Sequence, residues 1–167
     1  MGTKDHKKHA PKYVNVGILT VSTTRTLAED KSGKWVAKQG KKEGHTVVHH
    51  QVVSDDMEAI TDAVLTIIRE KHPQALLVTG GTGISPMDVT IEAVTPLFKK
   101  ELTAFNVLFA QLSSEEIGSA AIMSRSTAGI IEKTVVFCMP GSLNACKLAC
   151  KELIFPELGH LVKHMGE

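Results

Sequence analysis

One stretch of the sequence restricts the possible folds more than any other, because a short apolar run leads directly into a glycine-rich loop and then into a helical pattern. Residues 75–79 form the apolar run, the glycines lie within 80–83, and the helical pattern begins near Thr90. Glycines accept positive φ and let backbone N–H groups face an anion without a Cβ in the way. The N-terminus of the following helix adds a positive partial charge. The order of strand, glycine loop and helix therefore predicts an α/β domain in which the loop binds an anionic ligand.

Asp88 is the unexpected member of this stretch, because a carboxylate next to a bound anion repels it. Two explanations remain open and are compatible with each other. Asp88 caps the next helix, in which Glu92 is an early acidic residue, or it holds a cation that lies between the carboxylate and the anion.

Strand-like and helix-like segments alternate along the rest of the chain, which predicts a three-layer α/β/α sandwich with a mainly parallel sheet and one β-hairpin. Ser32 is expected to cap the first helix, and Pro156 is expected to interrupt the last one. The predicted strands are 13–21, 45–53, 75–79, 123–131 and 134–139. The predicted helices are 32–43, 54–72, two between 90 and 118, 144–153 and a short C-terminal one.

Polar segments follow several of the predicted strands, at 22–32, at Asp55, at 80–88 and at 140–142. Ligands of such sheets bind beyond the carboxyl ends of the strands, so we expect these segments to converge on one crevice. The segment at 140–142 is a second turn between a strand and a helix, and it suits an anion for the same reasons as the first. Asp55 has a structural alternative, because Glu58 three residues later resembles a helix-capping pattern.

Composition favours a single folded domain over residues 13–167 with a flexible basic tail at 1–12. With 43% hydrophobic residues, 22% charged residues and a formal charge of +1, nucleic acid is not an expected partner. There is no apolar run long enough for a membrane helix and no secretory signal. The three cysteines are odd in number and lack a CxxC pair, which favours buried thiols and a cytoplasmic location.

Common motifs exclude several classes of chemistry. The glycine loop lacks the Gly-Lys-Ser/Thr of a nucleotide-binding P-loop, and it lacks the third glycine of a dinucleotide-binding loop. HExxH and GxSxG are also absent, which disfavours zinc protease and serine hydrolase chemistry. A phosphate-binding loop with nearby carboxylates is what remains.

Four motifs together resemble the molybdopterin-binding MoaB/MogA family, and the likeness covers residues 13–160 with the motifs in the right order. Within the family the chain looks most like the MoaB branch, because it has the stretch Ser-Ser-Glu-Glu-Ile-Gly-Ser at 113–119. The four motifs are Asp-Lys-Ser-Gly at 30–33, Thr-Gly-Gly-Thr-Gly at 79–83 with Asp88 and Thr90, Ser-Arg at 124–125, and Met-Pro-Gly-Ser at 139–142.

The resemblance implies molybdenum or tungsten cofactor biosynthesis, in which molybdopterin is adenylated with Mg-ATP and pyrophosphate is released. It implies a homotrimer or homohexamer. Asp55 and Asp88 match the two important aspartates of the family, as Mg²⁺ ligands or as groups that position the nucleophile. The residues that the resemblance assigns to binding of the phosphates, nucleotide and pterin are Ser22, Asp30, Ser32, Thr79, Gly80, Gly81, Thr82, Gly83, Thr90, Ser113, Ser124, Arg125, Pro140, Gly141 and Ser142.

One segment departs from the family pattern. The family usually has Gly-Phe-Gly-Glu followed two residues later by Arg, whereas residues 104–110 here are Ala-Phe-Asn-Val-Leu-Phe-Ala. Loss of the acidic and basic groups means an altered pocket or a more apolar subunit interface. Two alternatives to the enzyme therefore stay open. They are a non-catalytic oligomeric molybdopterin-binding or scaffold protein and a nucleotide pyrophosphatase of related fold.

Overall fold

The sheet of the computed structural model, which describes residues 10–166, has six strands in the order β2-β1-β3-β6-β5-β4. β1, β2, β3 and β6 are parallel, whereas β5 pairs antiparallel with both β6 and β4. The predicted α/β fold with a mainly parallel sheet and one hairpin is confirmed. The strands are β1 (Asn15–Val21), β2 (Thr46–Val53), β3 (Ala75–Thr79), β4 (Lys100–Glu101), β5 (Thr127–Ile131) and β6 (Thr134–Met139).

Helices cover both faces of the sheet and give the expected three layers. One core joins the sheet to α1, α4, α5 and α6, with Phe105 and Phe109 among its largest side chains. The other core joins the opposite face to α2 and α3 through residues such as Ile60 and Val94. The helices are α1 (Lys31–Lys42), α2 (Met57–Lys71), α3 (Thr90–Val94), α4 (Thr103–Ile117), α5 (Leu143–Leu148) and α6 (Phe155–Gly166). Short 3₁₀ helices cover Thr95–Leu97 and Gly118–Met123, and a π-helical turn covers Ala149–Ile154.

The strand register brings the functional loops together at the carboxyl ends of the parallel strands. Thr79 in β3 is the register partner of Thr20 in β1 and of Met139 in β6, and Val21 is the partner of Val53. These parallel strands therefore end side by side. The loops that follow them start from neighbouring positions, as expected for a ligand-binding edge.

Two predicted helix caps are wrong by one or two residues. The N-cap of α1 is Asp30, whose carboxylate accepts a hydrogen bond from the Gly33 amide, and Ser32 lies within the first turn. The N-cap of α2 is Asp56, which leaves Asp55 outside the helix. A cap residue needs a non-helical backbone, and the sequence pattern alone does not fix which residue adopts it.

Asp88 does not cap the following helix either. The residue that precedes α3 is Val89, and no side chain makes a hydrogen bond at that helix start. The Asp88 carboxylate instead accepts a hydrogen bond from the amide of Ser85, which precedes it in the chain. Of the two explanations given above, the helix cap is excluded.

The C-terminal half differs from prediction in three places. The predicted strand at 123–131 begins only at Thr127, because Gly118–Met123 forms a 3₁₀ helix, and the two-residue strand β4 was not predicted. Pro156 does not interrupt the last helix. It lies in the first turn of α6, directly after the π-helical turn, where its missing N–H group and its ring are accommodated by the altered hydrogen-bond register. The Glu132-Lys133 hairpin turn is confirmed, with Glu132 at φ +53°.

The three cysteines are free and buried, as predicted. Burial raises the pKa of Cys146 to about 11, and hydroxyl groups of Thr79 and Ser32 only partly oppose this. Over residues 10–166, no helix is both long and apolar enough to cross a bilayer. Most of the predicted basic tail, residues 1–9, lies outside the described residues, and residues 10–12 lie against α6 near Gly159.

Candidate functional site

The glycine loop is held between the ends of three secondary-structure elements. The Gly80 amide donates to the Met139 carbonyl oxygen at 3.0 Å, and the Thr90 hydroxyl donates to the Gly80 carbonyl oxygen at 2.8 Å. Gly80 has φ +96°, and a Cβ at this position would lie 2.3 Å from the Val21 carbonyl oxygen. Only glycine therefore fits there. Thr90 is fully buried and closes the loop, so its side chain acts on the loop rather than on a ligand.

Thr82 provides an unsatisfied hydroxyl in the same loop. Thr82 is 2% exposed, and within residues 10–166 its buried Oγ1 has no hydrogen-bond partner. Buried polar groups of native proteins nearly always have a partner, so such a group indicates a missing ligand or water. Because Thr82 lines the cavity described below, a bound anion is a suitable acceptor for this hydroxyl.

Asp88 is oriented by a tight turn. One carboxylate oxygen, Oδ2, accepts from the Ser85 amide at 2.9 Å, and the Asp88 amide donates back to the Ser85 carbonyl oxygen. The same Oδ2 would lie 2.7 Å from a Cβ on Gly83, which shows how closely the carboxylate approaches the glycine loop. Among residues 10–166, Oδ1 makes no hydrogen bond and is available to a ligand.

Asp55 connects two of the loops at this edge. Its Oδ2 accepts from the Thr23 amide at 2.7 Å and from the Thr23 hydroxyl at 2.8 Å, so the loop after β1 is tied to the loop after β2. Its Oδ1 would lie 3.2 Å from a Cβ on Gly81. Within the described part of the chain, this Oδ1 accepts no hydrogen bond. Asp55 and Asp88 thus approach the same glycine loop, each with one unoccupied oxygen.

Arg125 supports the loop from outside. Its Nε donates to the carbonyl oxygens of Thr82 and Gly83 at 3.0 and 2.9 Å, and its two terminal nitrogens contact the Glu92 carboxylate at 2.6 and 3.2 Å. The hydrogen bonds from Arg125 hold the pKa of Glu92 below its usual value. These contacts occupy most of the guanidinium, which makes Arg125 a residue that fixes the loop.

The second turn, at 140–142, packs directly against the first. A Cβ on Gly141 would lie 3.0 Å from the Gly80 Cα, and the Ser32 hydroxyl donates to the Gly141 carbonyl oxygen at 2.8 Å. Ser142 caps α5 by accepting a hydrogen bond from the Ala145 amide. The two glycine turns therefore form one continuous surface.

A cavity of about 270 Å³ opens where these segments meet, and Asp88 lines it together with six of the fifteen predicted binding residues. A groove of about 580 Å³ is lined by β2 and by the loop after β1, and its wall includes Ser22, Thr23 and Arg25. The lining of the cavity is Gly81, Thr82, Gly83, Asp88, Ala120, Met123, Ser124, Pro140 and Gly141. A larger cavity of about 650 Å³ lies at the opposite ends of the strands, and none of the predicted site residues lines it.

Some predicted residues are not at this surface. Asp30 and Ser113 are buried, and Asp30 has all its hydrogen-bonding capacity directed to protein donors. Conversely, the sequence did not point to Ala120 and Met123 in the cavity wall, because apolar residues carry no chemical signal. It also did not point to His50, although a polar pair in an otherwise apolar strand was a detectable sign.

Binding of a cation at this site would require suitable protein ligands. Within residues 10–166 there is no cluster of three or more His, Cys, Asp or Glu residues that could bind a metal ion. Mg²⁺ is commonly bound by one or two carboxylates together with substrate phosphates and water. The two free carboxylate oxygens of Asp55 and Asp88 fit that mode of binding.

Comparison with known proteins assigns the family. A family model described as a probable molybdopterin binding domain matches residues 17–160. The chain belongs to this molybdopterin-binding family. It is similar to molybdenum cofactor biosynthesis protein B of Bacillus subtilis, at 48% identity over 166 residues, which covers 99% of this chain and 98% of the relative. It is also 40% identical to a molybdopterin adenylyltransferase of Pyrococcus furiosus, with full coverage of both chains.

A solved structure supports the same assignment. A crystal structure of a molybdenum cofactor biosynthesis protein B superposes with a TM-score of 0.91 at 45% identity, covering 95% of this chain and 99% of that one. The resemblance implies a departure from the family pattern in the segment 104–110. It lies in α4, and none of its residues lines the 270 Å³ cavity.

Proposed function

We propose that this chain acts in molybdenum or tungsten cofactor biosynthesis as a molybdopterin adenylyltransferase. A terminal phosphate oxygen of molybdopterin attacks the α-phosphorus of ATP and forms a new P–O bond. The bond from the α-phosphorus to the oxygen that bridges to the β-phosphate breaks, and pyrophosphate leaves with that electron pair. The 40% identical relative named as a molybdopterin adenylyltransferase supports this reaction.

The observation that carries the proposal is the placement of the two carboxylates. Asp55 and Asp88 approach the glycine loop, each with a free oxygen, while the buried Thr82 hydroxyl in the loop lacks a partner. Both reactants are anionic, so the chemistry requires charge neutralisation and positioning rather than a nucleophile from the protein. A phosphate loop with nearby carboxylates and no activated serine or cysteine suits that requirement.

Each part of the site has a role in this scheme. The backbone of residues 80–83 and the Thr82 hydroxyl bind a phosphate group, and the turn at 140–142 forms the adjoining wall. Asp55 and Asp88 would hold Mg²⁺, which neutralises phosphate charge and stabilises the leaving pyrophosphate when it is bound. The cavity adjoins the glycine loop and the groove adjoins Thr23, the partner of Asp55, which gives separate space for two substrates.

Incubation of the purified protein with molybdopterin and Mg-ATP, followed by separation of the products, tests the proposal. We expect adenylated molybdopterin and one pyrophosphate per product. Asp55→Asn and Asp88→Asn should each lower the rate by on the order of 10²- to 10³-fold, because each weakens binding of the Mg²⁺ that would neutralise the transferring phosphate. Asp56→Asn is the matched control and should keep the wild-type rate, because asparagine also caps helices.

A second candidate function is supported by α4. Val107 is 67% exposed and Leu108 is 47% exposed, in the segment where the family usually has charged residues. This surface suits a protein that binds molybdopterin in an oligomer without catalysis. Tight molybdopterin binding with no ATP consumption would favour this second candidate. Cleavage of free nucleotide without molybdopterin would instead indicate a nucleotide pyrophosphatase.

A further inference from the structure

His50 is a half-buried histidine in the wall of the 580 Å³ groove, and the proposed reaction assigns it no chemical role. It lies on β2, at the edge of the sheet, and its side chain is 16% exposed. Its Nε2 lies 2.8 Å from Oδ2 of Asp30, which is fully buried. The neighbouring His49 does not share this contact, because its ring nitrogen lies 3.0 Å from the Gln51 side-chain oxygen.

Asp30 is the centre of a closed set of hydrogen bonds. Its Oδ1 accepts from the Gly33 amide at 2.9 Å, and its Oδ2 accepts from the Thr20 hydroxyl at 2.6 Å as well as from His50. Burial by itself raises the pKa of the carboxyl, but the donors outweigh burial and the pKa is lowered. Gly33 allows this packing, because a Cβ there would lie 2.4 Å from the His50 Nε2.

A short path connects this network to the candidate site. Asp30 caps α1, and Ser32 lies two residues later in the first turn of the same helix. The Ser32 hydroxyl donates to the Gly141 carbonyl oxygen, and Gly141 packs against Gly80. The position of the α1 N-terminus therefore sets the position of the second glycine turn, which forms part of the cavity wall.

We propose that His50 is a positioning residue of the candidate site, which holds Asp30 at the N-terminus of α1 and, through Ser32, fixes the turn that contains Gly141. The inference rests on the proposed function, because it assumes that an anion binds between the two glycine turns. Its physical basis is that a buried carboxylate deprived of a donor reorients or draws in water. Either response displaces the first turn of α1 and releases the Gly141 carbonyl group.

Two substitutions at His50 separate the donor from the shape of the ring. His50→Phe keeps a ring and removes the donor, whereas His50→Gln keeps an N–H group that can reach Asp30. His49→Phe is the matched control on the adjacent residue. The probe is inorganic phosphate, and the measured quantities are its dissociation constant and the amide NMR shifts of Gly33 and Gly141.

We expect His50→Phe to weaken phosphate binding about tenfold, the effect of roughly 1.4 kcal/mol, and to shift the Gly141 amide resonance in the ligand-free protein. His50→Gln should restore most of the affinity, and His49→Phe should match the wild type. In a Ser32→Ala background, His50→Phe should have no further effect, because the connection to Gly141 is already broken. If His50→Phe does not fold, His50→Asn, whose side chain is too short to reach Asp30, replaces it.

Two results would overturn the inference. The first is a phosphate affinity of His50→Phe equal to that of the wild type. The second is a loss of affinity on His50→Phe that is as large in the Ser32→Ala background as in the wild-type background. Absence of phosphate binding in the wild-type protein would count against the proposed function instead. In that case the Gly141 amide shift of the ligand-free variants still decides the inference, because an unchanged shift contradicts it and a changed shift supports it.

Discussion

At the scale of single residues, the important distinction is between polar groups that have protein partners and those that do not. Asp30, Thr90 and Arg125 direct their polar atoms to backbone and side-chain partners, so they shape the site from behind. Asp55 and Asp88 each use one carboxylate oxygen for the protein and leave the other free. Free oxygens next to a glycine loop are available for chemistry, and this separates the candidate catalytic pair from its neighbours.

The contribution of Arg125 to stability can be predicted at the scale of the residue. Arg125 contacts both Glu92 and the glycine loop, whereas Glu92 contributes only the ion pair. Arg125→Gln removes both the ion pair and the bonds to the carbonyl oxygens of Thr82 and Gly83, and should lower the free energy of unfolding by about 1–2 kcal/mol. Glu92→Gln removes only the partly exposed ion pair and should cost less than about 1 kcal/mol. Urea unfolding of the two variants measures this order. Equal losses would show that the carbonyl contacts contribute nothing.

The phosphate affinity of the same two variants tests the role of Arg125 further. As a residue that fixes the loop, it should affect binding only to the extent that the loop loses stability. Arg125→Gln could lose phosphate binding and yet be as stable to unfolding as Glu92→Gln. That result would show that Arg125 contacts the ligand directly, as the family resemblance implied.

At the scale of secondary-structure elements, the sequence predicted types and order well but not the ends of the elements. Apolar runs such as 75–79 indicate buried strands, because a central strand is buried on both faces and a run of this length is too short for a typical helix. The choice between Asp55 and Asp56 as a helix cap depends on backbone angles that neighbouring carboxylates do not reveal. The π-helical turn before Pro156 and the short β4 depend on tertiary packing, so local pattern could not predict them.

The glycine loop gives an element-scale prediction with a control inside the chain. Gly80→Ala introduces both positive-φ strain and a contact of 2.3 Å with the Val21 carbonyl oxygen, and should cost about 3 kcal/mol of stability. Gly118→Ala has the strain alone, because no atom lies within 4 Å of its Cβ, and should cost about 1–2 kcal/mol. Thermal unfolding of both variants measures the difference. Equal losses would contradict the close approach of the loop to the end of β1.

At the scale of the whole molecule, several large apolar side chains are exposed on α4 and on the 3₁₀ helix that follows it. We call this group the outer α4 surface, and it extends from α4 through the following 3₁₀ helix. Exposed apolar patches of this kind mark interaction sites. Met123 also lines the cavity, so whatever covers this surface lies next to the site. The residues of the outer α4 surface are Val107, Leu108, Ile117, Ile122 and Met123.

We predict that further copies of this chain cover the outer α4 surface and give the trimer or hexamer that the family resemblance implies. The formal charge of +1 opposes such association only weakly. Val107→Glu would bury an unpaired carboxylate in the interface and should weaken association by at least about 100-fold. Sedimentation velocity over a concentration series measures this, with Met57→Glu on the opposite face of the sheet as the matched control. A wild-type protein that stays monomeric, or a Val107→Glu variant that associates like the wild type, would show that copies of this chain do not cover this surface.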